Sequence, residues 1–260
     1  MFMILKEDMT VVAQRKLAPD IFEMVLTGEM VSDMQAGQFL HLRVPDSSKL
    51  LRRPISISEI DRRKKEATIV YRIEGGGTAV FSQLKTGDTV DCLGPQGNGF
   101  DLSVIGANQT ALLIGGGIGV PPLVETAKQL HDKGVAVTSV IGFANKDAVI
   151  LEEKLRRYGD VTVTTDDGSY GQKGYVSAVV DNLNFRPDAV YACGAPGMLK
   201  YVDKKFEKHP HAYLSTESRM ACGMGACYAC VVHLKGQEDS RNLRVCEDGP
   251  VFKTGQITLD

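Results

Sequence analysis

Residues 111–123 read ALLIGGGIGVPPL. Four apolar residues end in three glycines, Gly115, Gly116 and Gly117, and a Pro-Pro pair then opens a helix-compatible run, LVETAKQLHDKG at 123–134. A strand that turns through glycine into a helix can offer backbone N–H groups to a pyrophosphate. The spacing departs from G-x-G-x-x-G, and a turn built only for packing would use the same glycines. The downstream residues decide between these readings. VAVTSVIGF (135–143), a helical LEEKLRRYG (151–159), VTVTT (161–165), a helical YVSAVVDNL (175–183) and AVYACG (189–194) lead into MLKYVDKKFEKH (198–209). Strands alternating with helices imply a parallel sheet covered on both faces, and right-handed crossovers make it doubly wound. This segment is read as a dinucleotide-binding α/β domain over 103–214.

Upstream, the rhythm differs. TVVAQRKL (10–17), IFEMVL (21–26), QFLHLRV (38–44), RRPISISEI (52–60), ATIVYRI (67–73) and TVDCLG (89–94) are short β-rich runs between turn residues. They predict an antiparallel barrel over 1–102, with the basic run Arg62–Lys65 as a solvated hairpin tip. Downstream, 215–260 breaks the pattern again. It holds CGMGACYAC at 222–230, a lone Cys246, and short strands expected at CVVHL (230–234) and QITLD (256–260). The fold class is therefore α+β multidomain.

A formal net charge of -2 with 43% hydrophobic residues gives no electrostatic reason to expect nucleic acid as a partner. No eighteen-residue apolar run and no secretory signal is visible, so no membrane span and a cytoplasmic location are expected. Thiols stay reduced there, which favours metal or redox ligands over disulfides. Of six cysteines, Cys222, Cys227, Cys230 and Cys246 are spaced C-x4-C-x2-C-x15-C. That is the plant-type [2Fe-2S] arrangement, and the small residues Gly223, Gly225 and Ala226 let backbone N–H groups approach the sulfurs. A structural zinc site competes, but zinc ribbons favour two C-x2-C knuckles. Cys92, in a barrel strand, is expected to be a small buried hydrophobe.

Taken together, RRPISI at 52–57, GGGT at 75–78 and GGGIGVPP at 115–122 resemble the ferredoxin-reductase-like flavoproteins, with support from GQF (37–39), GPQGNGF (94–100) and CGAPGM (193–198). With the C-terminal cysteines, the chain is similar from end to end to the electron-transfer subunits of class B, NAD-dependent dihydroorotate dehydrogenase. The resemblance implies FAD on the barrel and NAD on the α/β domain. Arg53, Pro54, Ile55 and Ser56 match the flavin signature, Val70, Tyr71 and Arg72 the next flavin-contacting strand, and Gly77 and Thr78 a phosphate-holding turn. Cys193 and Gly194 match the turn that faces nicotinamide and flavin, where a buried, inert thiol is an equally open reading. Many such reductases end in an aromatic residue that covers the flavin; this chain continues into the cysteine segment instead.

A nicotinamide moves two electrons as hydride and a [2Fe-2S] centre one at a time, so FAD between them makes the chain an adaptor. The resemblance supplies the far end: the FMN of a separate subunit that oxidises dihydroorotate in de novo pyrimidine (UMP) synthesis, in a heterotetramer with two of each chain. Electrons would run from FMN through the cluster and FAD to NAD+. No catalytic acid–base residue is expected here, and His41, His131, His209, His211 and His233 are read as surface or core residues. Asp166 and Asp167 in DDGSYGQKG (166–174) point to NAD over NADP. Two other readings stay open: an FAD/[2Fe-2S] subunit serving NAD(P)H and ferredoxin or a hydrogenase, and a zinc-containing nucleotide-binding module.

Overall fold

The computed structural model describes residues 4–237 and 242–259. Strands β1 (Leu5–Ala18), β2 (Ile21–Thr27), β3 (Phe39–Leu42), β4 (Arg53–Asp61) and β5 (Glu66–Arg72) precede a short helix, α1 (Gly76–Phe81), and strand β6 (Thr89–Gln96). The six strands close into a barrel in the order β1-β2-β5-β4-β3-β6, every pair antiparallel. Alternation explains the closure. Met9 and Val11, Met24 and Leu26, and Ile69 and Tyr71 point inward at spacing two and form one apolar cluster. Closure also leaves no sheet edge to pair with another chain. The expected turn at GGGT is instead the first turn of α1. Arg62–Lys65 is exposed as expected, yet it is clasped: Arg62 donates to the carbonyls of Ser32 and Met34, and Lys65 pairs with Glu29.

The α/β part contains β7 (Thr110–Gly116), α2 (Pro121–Asp132), β8 (Ala136–Phe143), α3 (Glu152–Arg156), β9 (Asp160–Thr165), β10 (Gln172–Lys173), α4 (Val176–Val180), β11 (Ala189–Cys193), α5 (Pro196–Phe206) and β12 (Ala212–Ser215). Leu123, Val124, Ala127 and Leu130 of α2 and Leu155 of α3 pack in one apolar cluster. Val176 and Val180 of α4 and Leu199 and Val202 of α5 pack in another, which makes the sheet doubly wound. The sheet order is β10-β9-β8-β7-β11-β12, with a strand from the C-terminal segment, β15 (Val251–Lys253), at the far edge. Strand order reverses between β7 and β11, the place where such sheets bind ligands.

The barrel is joined firmly to this sheet. Ala18, Ile21, Val70 and Phe100 share the apolar cluster of α2. Lys154 on α3 reaches Glu23 at 2.8 Å and also Glu59, and the buried Glu125 accepts from the Ile60 amide at 2.8 Å.

In the C-terminal segment, β13 (Val231–His233) pairs with β14 (Asn242–Arg244), while β15 (Val251–Lys253) adds antiparallel to β12. The expected strand QITLD does not form. Ile257 makes one isolated bridge to Leu234 and is buried in the cluster-segment core, and Asp260 lies outside the described residues. The open edge of β12 instead satisfies the backbone of VFK. The cysteine segment is thus stitched into the α/β sheet.

Candidate functional site

A cleft of about 680 Å³ opens on the barrel. Arg53, Pro54, Ile55 and Ser56 from β4, Val70, Tyr71 and Arg72 from β5, and Gly77 and Thr78 from α1 all line it. Adjacent antiparallel strands bring the two strand signatures side by side, and α1 closes one end. Thr78 builds that end: its hydroxyl accepts from the amides of Glu74 and Gly75, at 3.0 and 3.3 Å. Arg53 lies over the turn because Gly77 has no side chain to exclude it. A guanidinium beside a glycine turn suits a pyrophosphate.

The opposite wall escaped the sequence reading. Ser215, Thr216, Glu217, Ser218, Arg219 and Met220, which follow β12, line the same cleft together with Pro250. They face the barrel strands across the cleft. The signal was faint, since LSTESRM after an apolar strand reads as an ordinary polar loop. Glu217 meets solvent in the cleft, yet the walls desolvate it enough to raise its pKa, with Glu74 adding to the effect and Arg72 opposing it.

Gly115–Gly117 and Cys193–Gly194 stand at the carboxyl ends of β7 and β11, where Cys193 is level with Gly115. The two glycine turns touch. A Cβ on Gly119 would come within 2.5 Å of the Cys193 carbonyl and of Gly194. Ile118, from the same loop, reaches into the barrel cleft. The switch point therefore abuts the wall of the barrel cleft. Cys193 is buried, burial pushes its thiol pKa up, and Ser215 lies beside it. That favours the inert reading of this thiol. Cys92 is likewise fully buried, with its pKa pushed up to about 12 by desolvation.

Cys246, which follows β14, meets Cys222, Cys227 and Cys230 of the loop after Met220. The amide of Gly225 donates to Cys246 Sγ at 3.1 Å, those of Met224 and Cys227 to Cys222 Sγ at 3.4 Å, and that of Cys222 to Cys227 Sγ at 3.5 Å. Gly223 and Gly225, at φ of +70° and +79°, give the loop the left-handed turns this wrap needs. Backbone amides, that of Cys222 foremost, hold the Cys227 thiol down to about 7, while burial and then Cys230 push Cys246 up to about 12. Among the described residues, no three metal-ligating side chains close around a single ion. A two-iron cluster does not require that, because it divides four thiolates between two iron atoms. The donor set and the N–H···S bonds fit such a cluster. Cys230 and Cys246 share an apolar cluster with Phe39 and Met220, and the last two also line the barrel cleft. The thiol loop and the cleft have a common wall.

Comparison with known proteins agrees with this layout. Residues 8–100 match the family model of the oxidoreductase FAD-binding domain, 113–204 that of the oxidoreductase NAD-binding domain, and 217–258 that of the iron-sulfur cluster binding domain of dihydroorotate dehydrogenase B. The chain is 78% identical over 258 residues to the dihydroorotate dehydrogenase B (NAD(+)) electron transfer subunit of Streptococcus mutans, covering 99% of this chain and 100% of that one. The chain belongs to the dihydroorotate dehydrogenase B electron-transfer subunit family. Another member, from Geobacillus kaustophilus, is 49% identical over 259 residues, covering 99% of this chain and all of its own (100%). Among solved structures, a chain of the NADH-dependent reduced ferredoxin-NADP oxidoreductase superposes with a TM-score of 0.86 at 30% identity, covering 97% of this chain and 90% of that one. A ferredoxin NADP+ reductase from Neisseria gonorrhoeae, with a TM-score of 0.67 at 14% identity over 86% of this chain and 95% of that one, shares the fold.

As a family member, this chain is an oxidoreductase subunit with FAD-binding, NAD-binding and iron–sulfur domains. The zinc reading gives way to iron–sulfur. No helix among the described residues is long and apolar enough to cross a membrane.

Proposed function

We propose that this chain passes electrons from the FMN of a dihydroorotate-oxidising catalytic subunit, by way of its own [2Fe-2S] cluster and FAD, to NAD+, within cytoplasmic pyrimidine synthesis. When bound, FAD exchanges hydride with a nicotinamide and single electrons with an iron–sulfur cluster. The chain's residues hold and shield these groups. Arg53, Gly77 and Thr78 form the pyrophosphate end of the cleft, and Pro54, Ile55, Ser56, Val70, Tyr71 and Arg72 form its flavin end. The wall from Ser215 to Met220 limits water. Gly115–Gly117, Cys193 and Gly194 receive the dinucleotide, and Cys222, Cys227, Cys230 and Cys246 are the cluster ligands.

The observation that carries this reading is the wall shared by cleft and thiol loop, formed by Phe39 and Met220. Electrons tunnel over short distances, and one apolar layer between two redox groups keeps that distance short. On the cluster loop, Met224 and Tyr228 are exposed at 49% and 59%, and Arg244 lies 5.1 Å from the Tyr228 ring centroid. Exposed apolar side chains around a cluster suit a partner that must bring its own redox centre close. The partner is an FMN-containing subunit, two of each chain forming a heterotetramer.

Reconstitution tests the proposal. The isolated chain should reduce artificial acceptors with NADH and leave dihydroorotate untouched; adding the catalytic subunit should couple dihydroorotate oxidation to NAD+ reduction. Dihydroorotate turnover by the chain alone would refute it. The 30% identity to a ferredoxin-linked oxidoreductase chain supports a ferredoxin-type partner as the second reading. Isolation of the native complex separates the two by whether its partner carries FMN.

A further inference from the structure

Two fully buried polar side chains of the barrel lack hydrogen-bond partners, and both touch the thiol loop at one glycine. His41 in β3 and Gln96 in β6 are 0% and 1% exposed. Neither ring nitrogen of His41 and neither amide atom of Gln96 meets full hydrogen-bond geometry with any group. A Cβ on Gly223 would stand 2.3 Å from His41 Nδ1 and 2.9 Å from Gln96 Oε1. The loop residue between Cys222 and Met224 rests directly on this pair.

His41 also spans two regions of the chain. Its backbone is level with Pro54 of the cleft-lining strand β4, and its ring lies beside the backbone carbonyls of Arg52 and Cys222. An imidazole N–H serves one carbonyl, and the Gln96 amide brings two more donors. Leaving such groups buried without good partners is destabilising. Apolar side chains of similar volume would fill the space more stably, so packing alone does not call for this pair.

We propose that His41, with Gln96, is a positioning residue for the iron–sulfur cluster, holding the Cys222–Gly223 peptide against the flavin-side strand so that the following amides stay aimed at the ligand sulfurs. The inference rests on Cys222, Cys227, Cys230 and Cys246 being the cluster ligands. The amides of Met224 and Gly225, directly after Gly223, donate to Cys222 and Cys246. Hydrogen bonds to the sulfurs stabilise the added charge of a reduced cluster, so loosening them lowers its reduction potential.

The test uses the full chain carrying FAD and its cluster, read by redox titration with EPR. His41→Leu and Gln96→Leu should keep flavin and cluster absorption, yet show a lower cluster midpoint. The expected effect is a tenfold or so loss of preference for the reduced state, about 59 mV for a one-electron couple, with altered g values. His41→Gln, which keeps a donor, should recover most of the shift, and the FAD midpoint should not move. A parental cluster potential and EPR spectrum in the Leu variants overturns the role. If His41→Leu loses its cluster, Gln96→Leu decides: an unchanged potential there is equally fatal. Replacing the four cysteines tests the ligand assignment separately, because only that experiment reads loss of the cluster itself.

Discussion

The guanidinium of Arg53 rests on the Cα of Gly77: a Cβ there would come within 2.7 Å of Nε and 2.8 Å of Nη2. β4 and the start of α1 are thereby locked together at one end of the cleft. Arg53 Nη1 donates to the Leu51 carbonyl at 2.7 Å, which leaves other N–H groups for a phosphate. Gly77→Ala should displace the guanidinium and weaken FAD binding. A charge-assisted hydrogen bond contributes about 1.5–3 kcal/mol, so the dissociation constant should rise at least about tenfold. Equilibrium fluorescence titration of the deflavinated chain measures it. An unchanged affinity would mean that Arg53 does not face the pyrophosphate.

The thiol loop should be as sensitive at Gly225 as at its cysteines. A Cβ at Gly225 would fall 1.8 Å from Glu247 Oε2, on a backbone already at φ +79°. The Glu247 carboxylate can swing away, but a side chain at φ +79° strains the backbone that carries the amide donating to Cys246. Gly225→Ala should lower iron content and cluster absorption, and Ala at Cys222, Cys227, Cys230 or Cys246 should abolish both. Iron and sulfide analysis checks each variant, and a cluster surviving in all four cysteine variants would undo the ligand assignment.

The joint between barrel and α/β sheet should weaken in acid. Burial opposes the charge on Glu23, but hydrogen bonds from Arg15 and Lys154 outweigh it and hold the carboxyl below its ordinary 4.5. A depressed carboxylate contributes stability above its unfolded pKa and loses it as pH falls through the folded value. Lys154 is desolvated too, yet Glu23 and Glu59 raise its pKa, so its contribution is lost only as pH rises past its ordinary 10.5. Glu23→Gln should cost about 2 kcal/mol at pH 7, less than a fully orphaned buried charge because Glu59 remains. The gap to the parent should close below pH 4. Urea midpoints at both pH values give the comparison, and a gap independent of pH would exclude the ion pair as its source.

Asp166 and Asp167 lie after β9, at the carboxyl edge of the sheet. Asp167 is partly committed, since its Oδ1 accepts from the Ser169 amide at 2.9 Å and hydroxyl at 2.7 Å. That turn-building role does not remove its charge, because the Ser169 hydrogen bonds lower its pKa. Two exposed carboxylates should repel a 2'-phosphate, and the chain should prefer NADH over NADPH by about tenfold or more in kcat/KM. Asp166→Arg should narrow the ratio. Equal kcat/KM for the two nucleotides in the parent chain would show that neither aspartate faces the ribose.

Local patterns determined much of this protein. Period-two alternation in IFEMVL and ATIVYRI makes barrel strands wherever they sit, and the apolar run ALLI before three glycines makes a strand-to-helix turn. The four cysteines announce a cluster because ligand chemistry depends on residue type and spacing, with three of them on one short loop and Cys246 just beyond β14. Tertiary structure decided what depends on partners distant in the chain. QITLD carries a strand-like composition, but the vacant edge of β12 took VFK, because a strand needs a backbone to pair with. LSTESRM reads as a polar loop until the sheet carries it across the cleft from RPIS. His41 alternates like any barrel residue, and no local signal marks it. Only closure of the barrel and docking of the thiol loop, 182 residues further along the chain (223 − 41), leave its ring buried against Gly223. Burial and electrostatic surroundings are properties of the assembled fold, so the residues governed by them could not be read before the chain was folded.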